Sequence, residues 1–266
     1  MDGELVATAA AAYLRVLQDE VGARDLLAEA RREVRLRQVA EICHRELRGN
    51  VLWHYPKLVA EVQGVLQIGA CADDVAAAWD RLELPTQLYV EARADHCAEL
   101  ERCEPVVPGR RRAIVEAVLG AEVGSAALRF GDDPSRASLL RQHPLAVVAE
   151  RFRQRHEVPV PLATLDELVA RGEVDPDGCN LLYVDVEGTE LEVLRGAVAT
   201  LPHFDLVCVA VYLLPVYDGA PLLQEIQTFL HDFDPEGEHG FGLRAFELGA
   251  DPGHGHAVFR RLKPRT

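Results

Sequence analysis

The chain has 266 residues, of which 48% are hydrophobic and 27% are charged. That balance is typical of a globular protein, and the length is sufficient for one large α/β domain with a helical extension. The formal net charge of −15 repels phosphate backbones, which argues against a nucleic-acid substrate.

The N-terminus and the cysteines predict a cytoplasmic protein without a membrane segment. The first 17 residues carry Asp2, Glu4 and Arg15 inside an apolar stretch, unlike a signal peptide. We find no later stretch that is long and uncharged enough to span a bilayer. The cysteines form no C-x-x-C pair, which favours reduced thiols over a zinc site or a disulfide framework. They are Cys43, Cys71, Cys97, Cys103, Cys179 and Cys208.

Two regions are predicted from the hydrophobic pattern. Residues 1–63 read as a helical cap that its glycines divide into segments. Trp53, His54 and Tyr55 end this cap; they either join it to the rest of the chain, which is the favoured interpretation, or lie near a substrate site. Residues 64–266 read as one Rossmann-like domain.

Strands and helices alternate from Gly64 onwards, which predicts a mostly parallel sheet with helices on both faces. The polar stretch 131–157 is interpreted as an irregular substrate loop. The predicted strands lie at 65–69, 87–91, 113–119, 126–130, 181–186 and 204–212, followed by a closing antiparallel pair at 242–248 and 256–262.

Two helix starts carry capping signals. Thr164 and Glu167 have the spacing of a capping box, in which a hydroxyl and a carboxylate satisfy the first free amides of helix 165–171. Asp218 is placed to cap the helix that follows the last long apolar strand.

Ligands of open α/β sheets bind outside the carboxyl ends of the strands, and three candidate positions lie there. Gly69 and Ala70 follow the first strand, where small residues let a ligand approach backbone amides. Glu91 ends the second strand and can accept hydrogen bonds from ribose hydroxyls. Asp185 and Glu187 end a later strand and can hold a cationic ligand, a metal or a reacting hydroxyl.

The segment from Leu182 to Gly196 reads LYVDVEGTELEVLRG and follows the TLD of residues 164–166. This combination resembles the FkbM family of methyltransferases, and the order of the other pieces agrees over about residues 64–262. The resemblance implies transfer of a methyl group from S-adenosylmethionine to a hydroxyl, usually on a sugar or a secondary metabolite. It also implies a Rossmann-like methyltransferase sheet.

The resemblance also implies roles for individual residues. Two catalytic carboxylates would lie near the transfer site, where one accepts the hydroxyl proton, and other positions would bind the cofactor. The resemblance implies that Asp185 and Glu187 are the catalytic pair. It implies that Gly69 and Ala70 bind the methionine part of the cofactor and that Glu91 binds its ribose. Val118 and Leu119 would lie near the adenine, and Asp185 would also belong to the cofactor-binding set.

Five positions depart from the family pattern. An aspartate is usual at Gln67, an asparagine at Cys71, a glycine at Asp73 and a proline at Ala92, and residues 209–211 lack a glutamate. These departures leave a second hypothesis open. The chain would then keep the methyltransferase fold as a binding or structural module, or would run another reaction in the same site.

Metal binding and partners complete the predictions. His254 and His256 alternate onto one strand face, but without a fixed acidic partner they are interpreted as surface residues rather than metal ligands. Asp185 and Glu187 alone do not specify magnesium. The expected partner is a small-molecule or glycan acceptor, with no nucleic acid and no membrane, and a homo-oligomer stays possible.

Overall fold

The structure is a computed structural model of the chain. It describes residues 20–46, 51–70, 74–102, 109–131, 136–143, 153–214, 216–234, 239–248 and 254–263. Within these residues no helix is long and apolar enough to cross a membrane.

A seven-stranded sheet forms the centre of the molecule. Its strands are β1 (Gly64–Ile68), β2 (Thr86–Glu91), β3 (Arg111–Glu116), β6 (Leu181–Val184), β7 (Leu206–Tyr212), β8 (Phe241–Leu248) and β9 (His254–Arg261). Their order across the sheet is β3-β2-β1-β6-β7-β9-β8. All neighbouring pairs from β3 to β7 are parallel, whereas β9 runs antiparallel to both of its neighbours. The predicted mostly parallel sheet and its antiparallel closing pair are therefore confirmed.

Helices cover both faces of this sheet, as the alternation of elements predicts. Every residue of β1, β2, β6 and β7 is buried, and the sequences of β6 and β7 are correspondingly nearly continuous apolar runs. The helices are α1 (Glu20–Glu46), α2 (Pro56–Val59), α3 (Asp74–Arg81), α4 (Ala94–Arg102), α5 (Leu165–Ala170), α6 (Glu190–Arg195) and α7 (Leu223–Asp232).

The N-terminal helices pack on one face of the sheet through Trp53. Its ring lies 5.0 Å from that of Trp79 on α3, and Val39 and Cys43 of α1 are buried in the same cluster. Trp53 thus joins the helical part to the sheet. Helix α1 also passes through Gly22 without a break, so the predicted division at that glycine is wrong. The boundary between residues 63 and 64 stays a prediction.

One strand was missed: it begins at the end of the stretch 131–157, which was interpreted as irregular, and continues to residue 162. β5 (His156–Leu162) pairs antiparallel with β4 (Gly124–Phe130) and forms a separate two-stranded sheet. Pro159 and Pro161 argue against a strand in the sequence. They are tolerated because each strand of a two-stranded sheet has a free edge that needs no backbone donors.

The two predicted caps have different outcomes. Thr164 Oγ accepts a hydrogen bond from the Glu167 amide at 3.0 Å, whereas the Glu167 carboxylate pairs with Arg171 instead of closing the box. Asp218 does not cap α7. The carboxylate of Glu225 accepts the Leu222 amide there at 2.9 Å, so this prediction is wrong.

The end of β1 lies unusually close to the end of β6. Gly69 has φ +80°, and a Cβ atom at this position would meet the carbonyl oxygen of Asp185 at 1.8 Å. Glycine is therefore required twice, for its left-handed backbone and for the space it leaves.

We predict that Gly69→Ala destabilises the fold by more than about 4 kcal/mol, because the clash adds to the backbone strain. Gly219→Ala is the matched control, since Gly219 also has φ +80° but no atom within 4 Å of its would-be Cβ. Its cost should be about 1–2 kcal/mol. Urea unfolding of both variants measures the difference in their free energies of unfolding. Equal losses of stability would show that the Asp185 carbonyl does not exclude a side chain at position 69.

Candidate active site

A recess opens at the carboxyl edge of the parallel strands, between the ends of β2, β1 and β6. It contains about 590 Å³ of empty space, including its open mouth. Five of the six predicted cofactor-binding residues line it, together with Glu187; they are Gly69, Glu91, Val118, Leu119 and Asp185. Ala70 is fully buried in the core on the opposite face of the sheet. Leu128 of β4 and the nearby Ala137 and Leu139 contribute an apolar wall.

Glu91 stands at the end of β2 and is only 6% exposed. Its Oε1 accepts the Arg93 amide at 3.0 Å, and the Nδ1 atom of His96 lies 3.3 Å from the same oxygen. The Arg93 guanidinium is bound to Asp95 and stacks over Phe130 at 4.7 Å. Sequence reasoning identified Glu91 but missed His96, since the sequence shows only a histidine in the first turn of α4.

Gln67 points away from the recess. It is fully buried, and its Oε1 accepts the indole N–H of Trp79 at 2.8 Å on the opposite face of the sheet. The glutamine at this departure from the family pattern therefore packs with the helices and does not line the recess. Cys71 and Asp73, the other departures after β1, lie outside the described residues.

Asp185 forms an ion pair across the sheet. Its Oδ2 lies 3.0 Å from His256 Nε2 on β9, and the Tyr183 hydroxyl lies 3.1 Å from the same nitrogen. Burial favours the protonated form of Asp185, but the hydrogen bond and the charge of His256 outweigh it and lower the pKa of the carboxyl. The carboxyl is therefore ionised at neutral pH, and about a quarter of the side chain is exposed.

Glu187 is held by three side chains. Its Oε1 lies 3.2 Å from Arg136, and its Oε2 accepts the Tyr217 hydroxyl at 2.9 Å and lies 3.5 Å from that of Tyr212. Its backbone is left-handed, with φ +55°, and its carbonyl accepts the Ser138 hydroxyl at 2.6 Å. These contacts fix the turn between β6 and α6.

Glu190, not Glu187, satisfies the backbone at this turn. Its carboxylate accepts the amides of Val186 and Gly188 at 3.0–3.2 Å. The side chain is fully buried. Burial raises the pKa of Glu190 to about 8, and the nearby Asp185 adds to the shift while the Gly188 amide opposes it. In the sequence, the feature that could have pointed to Glu190 is its place two residues after Gly188 in the segment 182–196.

The interpretation of His254 and His256 as surface residues is wrong. His256 is 8% exposed and has the acidic partner that the sequence did not reveal. His254 stacks on Tyr212 with ring centroids 5.0 Å apart. Burial lowers the pKa of His254 to about 4. Its Nε2 atom is buried and has no hydrogen-bond partner within the part of the chain that the structure describes.

The described residues contain no cluster of three or more His, Cys, Asp or Glu side chains that could hold a metal ion. Cys43, Cys97, Cys179 and Cys208 are buried, and none of them forms a disulfide within the described residues. Burial raises the pKa of Cys97 and of Cys179 to about 12. Such thiols are poor nucleophiles and poor metal ligands at neutral pH.

The sheet order, with its single reversed strand beside the edge, and a recess at the ends of β1, β2 and β6 define a Rossmann-like methyltransferase fold. Residues 67–241 match the family model of the methyltransferase FkbM domain. The chain therefore belongs to the FkbM methyltransferase family. A comparison with curated proteins gives no significant match.

Several solved structures share parts of the architecture at low identity. The Streptococcus pneumoniae protein Sp1610, assigned as a tRNA (m1A22) methyltransferase, is 12% identical with a TM-score of 0.42, covering 79% of this chain and 70% of its own. The methyltransferase domain of bacterial CtHen1-CN is 11% identical with a TM-score of 0.39, covering 78% and 97%. The mitomycin 7-O-methyltransferase MmcR is 12% identical with a TM-score of 0.40, covering 97% and 66%. At this level the likeness carries no argument about substrate.

We predict that His254 makes the fold acid-sensitive. Its folded pKa of about 4 lies below the ordinary value of 6.5, so the unfolded chain binds more protons and stability is lost as pH falls from 6.5 towards 4. Between pH 7 and pH 4.5 this should amount to about 2 kcal/mol.

His254→Phe keeps the stacking on Tyr212 and removes the titration together with the unpartnered Nε2. Urea unfolding at the two pH values should show a smaller acid loss for this variant than for the wild type. His231→Phe is the control, because that side chain is 62% exposed. An acid loss that is the same in wild type and His254→Phe would contradict the assignment.

Proposed function

We propose that the chain is an S-adenosylmethionine-dependent O-methyltransferase whose acceptor is a hydroxyl of a small molecule or glycan, such as a sugar or a secondary metabolite. The observation that carries the proposal is the placement of Glu91 and Asp185 on opposite sides of Gly69 in one recess. One acid is then available to the nucleoside and the other to the acceptor, as the FkbM membership suggests.

The residues of the recess suit the nucleoside part of the cofactor. Glu91 offers carboxylate oxygens to the two ribose hydroxyls, and charge-assisted bonds of this type are stronger than neutral ones. Val118, Leu119 and Leu128 offer apolar surface to the adenine ring. Gly69 leaves room for the chain that links ribose and methionine, in our proposal, because it has no side chain at the floor of the recess.

The bound cofactor supplies an electrophilic methyl group. The protein's part is to orient the acceptor hydroxyl and to take its proton. Asp185 is ionised and lines the recess, so it is our candidate for the proton acceptor. His256 holds Oδ2 in place, and a proton transfer to Asp185 is of the general-base type.

Glu187 has a different role in the proposal. Its carboxylate is already bound to Arg136 and Tyr217, and losing either partner would leave a mostly buried charge with less compensation. We assign Glu187 to positioning the acceptor wall rather than to proton transfer. The acidic surface, with net charge −15, supports a neutral or cationic acceptor over a polyanion.

The hypothesis of a non-methylating relative rested on the departures from the family pattern. Gln67 no longer counts towards it, because this side chain serves the packing of Trp79. The departures at Cys71 and Asp73 still support the hypothesis of a non-methylating relative. A direct measurement of nucleoside binding decides between the two hypotheses.

We predict that isothermal titration calorimetry shows binding of S-adenosylhomocysteine, and that Glu91→Ala weakens it by about 1.5–3 kcal/mol through loss of the bonds to the ribose. Glu99→Ala is the matched control: it removes the same charge from an exposed position on α4. No heat and no thermal shift at millimolar ligand in the wild type would favour the binding-module hypothesis. Equal affinities of the two variants would place the ribose elsewhere.

We predict that Asp185→Asn lowers turnover by about 100-fold or more, since general-base contributions are of this order. Binding of S-adenosylhomocysteine should change little. Turnover is measured as the formation of S-adenosylhomocysteine from S-adenosylmethionine, with a panel of sugars and phenolic or polyketide alcohols as acceptors. Asp232→Asn, at a side chain 66% exposed, is the control. Normal turnover by folded Asp185→Asn would exclude Asp185 as the base.

A further inference from the structure

His96 lies where a nucleoside would meet Glu91. Its side chain is 10% exposed, lines the recess and belongs to the first turn of α4. Its Nδ1 atom faces Glu91 Oε1 at 3.3 Å, and the same oxygen also accepts the Arg93 amide at 3.0 Å. Glu91 thus has a cationic or donor partner before any ligand arrives.

Among the residues that the structure describes, the charged groups that act on His96 come from two neighbouring segments. Glu91 faces it from β2, and Arg93 and Asp95 face it from the loop and first turn that follow. Arg93 and Asp95 are bonded to each other, which largely cancels their effect on the imidazole. The hydrogen bond to Glu91 raises the pKa of His96, against the opposing effect of its partial burial.

We propose that His96 is a positioning residue for the ribose site: as an imidazolium it holds Glu91 while the site is free, and it loses its proton when ribose hydroxyls take its place. The proposal rests on the proposed function, because it requires the nucleoside to bind at Glu91.

The reason is competition for one carboxylate. Two ribose hydroxyls need both oxygens of Glu91 as acceptors, and Oε1 already receives His96 and the Arg93 amide. The bond from a protonated imidazole is also stronger than one from a neutral imidazole, so ribose hydroxyls displace it less readily. The nucleoside therefore binds better when His96 is neutral.

Linkage then fixes the sign of the pH effect. Binding weakens the contact that raises the His96 pKa, so the pKa falls in the complex and a proton is released. Affinity rises as pH increases through the pKa of the free protein. The hydrogen bond to Glu91 raises that pKa above the ordinary 6.5, so the rise in affinity extends above pH 6.5.

The test is titration of S-adenosylhomocysteine from pH 6 to pH 9 in two buffers of different ionisation enthalpy. The wild type should gain about fivefold in affinity over this range and release part of a proton near neutrality. His96→Gln, which keeps a polar donor beside Glu91, should lose both effects. His143→Gln is the control, because His143 pairs with Asp218 away from Glu91. The ligand's own groups titrate equally in all three proteins.

A second measurement uses the wild type alone. The ring proton of His96, followed by NMR across the same pH range, should titrate at a lower pH with saturating S-adenosylhomocysteine than without it. An unchanged or higher pKa in the complex, or the same pH slope in wild type and His96→Gln, would overturn the role of His96. Absence of binding at every pH would instead overturn the proposed function, so the two failures are distinguishable.

Discussion

The contact between the backbone of Gly69 and the carbonyl of Asp185 determines the geometry of the whole edge. It lets the ends of β1 and β6 approach until a Cβ at Gly69 would lie 1.8 Å from the Asp185 oxygen. Because β1 lies between β2 and β6 in the sheet, this approach also fixes the separation of Glu91 and Asp185. The recess exists because the central strand ends without a side chain while both neighbours end in acids.

Among the described residues, four acids lie around the ends of β2 and β6, and each is stabilised differently. Asp185 has an imidazole partner, Glu187 has Arg136 and tyrosine hydroxyls, and Glu190 has backbone amides but a raised pKa of about 8. Glu91 has an imidazole and one amide. Each of these acids therefore has its own stabilising partners. Asp185 lines the recess on the proposed acceptor side and its lowered pKa keeps it ionised, which is why it is assigned the proton.

The sequence predicted where most of the strands lie along the chain and which acids follow them, since strands show as local apolar runs and ligands bind at the carboxyl ends of parallel strands. It did not reveal the partners. His256 meets Asp185 only because β9 inserts next to β7, which is a matter of strand order rather than of pattern. The strand β5 was missed because prolines argue against it locally, while its position in a two-stranded sheet tolerates them.

Gln67 shows how a departure from a family pattern changes meaning once side-chain directions are known. Alternate residues of a strand face opposite sides of the sheet, and this residue faces the side that carries Trp79 and Trp53. Its Oε1 accepts the indole N–H, which would otherwise be buried without a partner at a cost of about 1–3 kcal/mol. An aspartate is shorter and would bring a charge into this cluster. The glutamine is therefore coupled to the N-terminal helices, and its presence informs on how they pack rather than on what the recess binds.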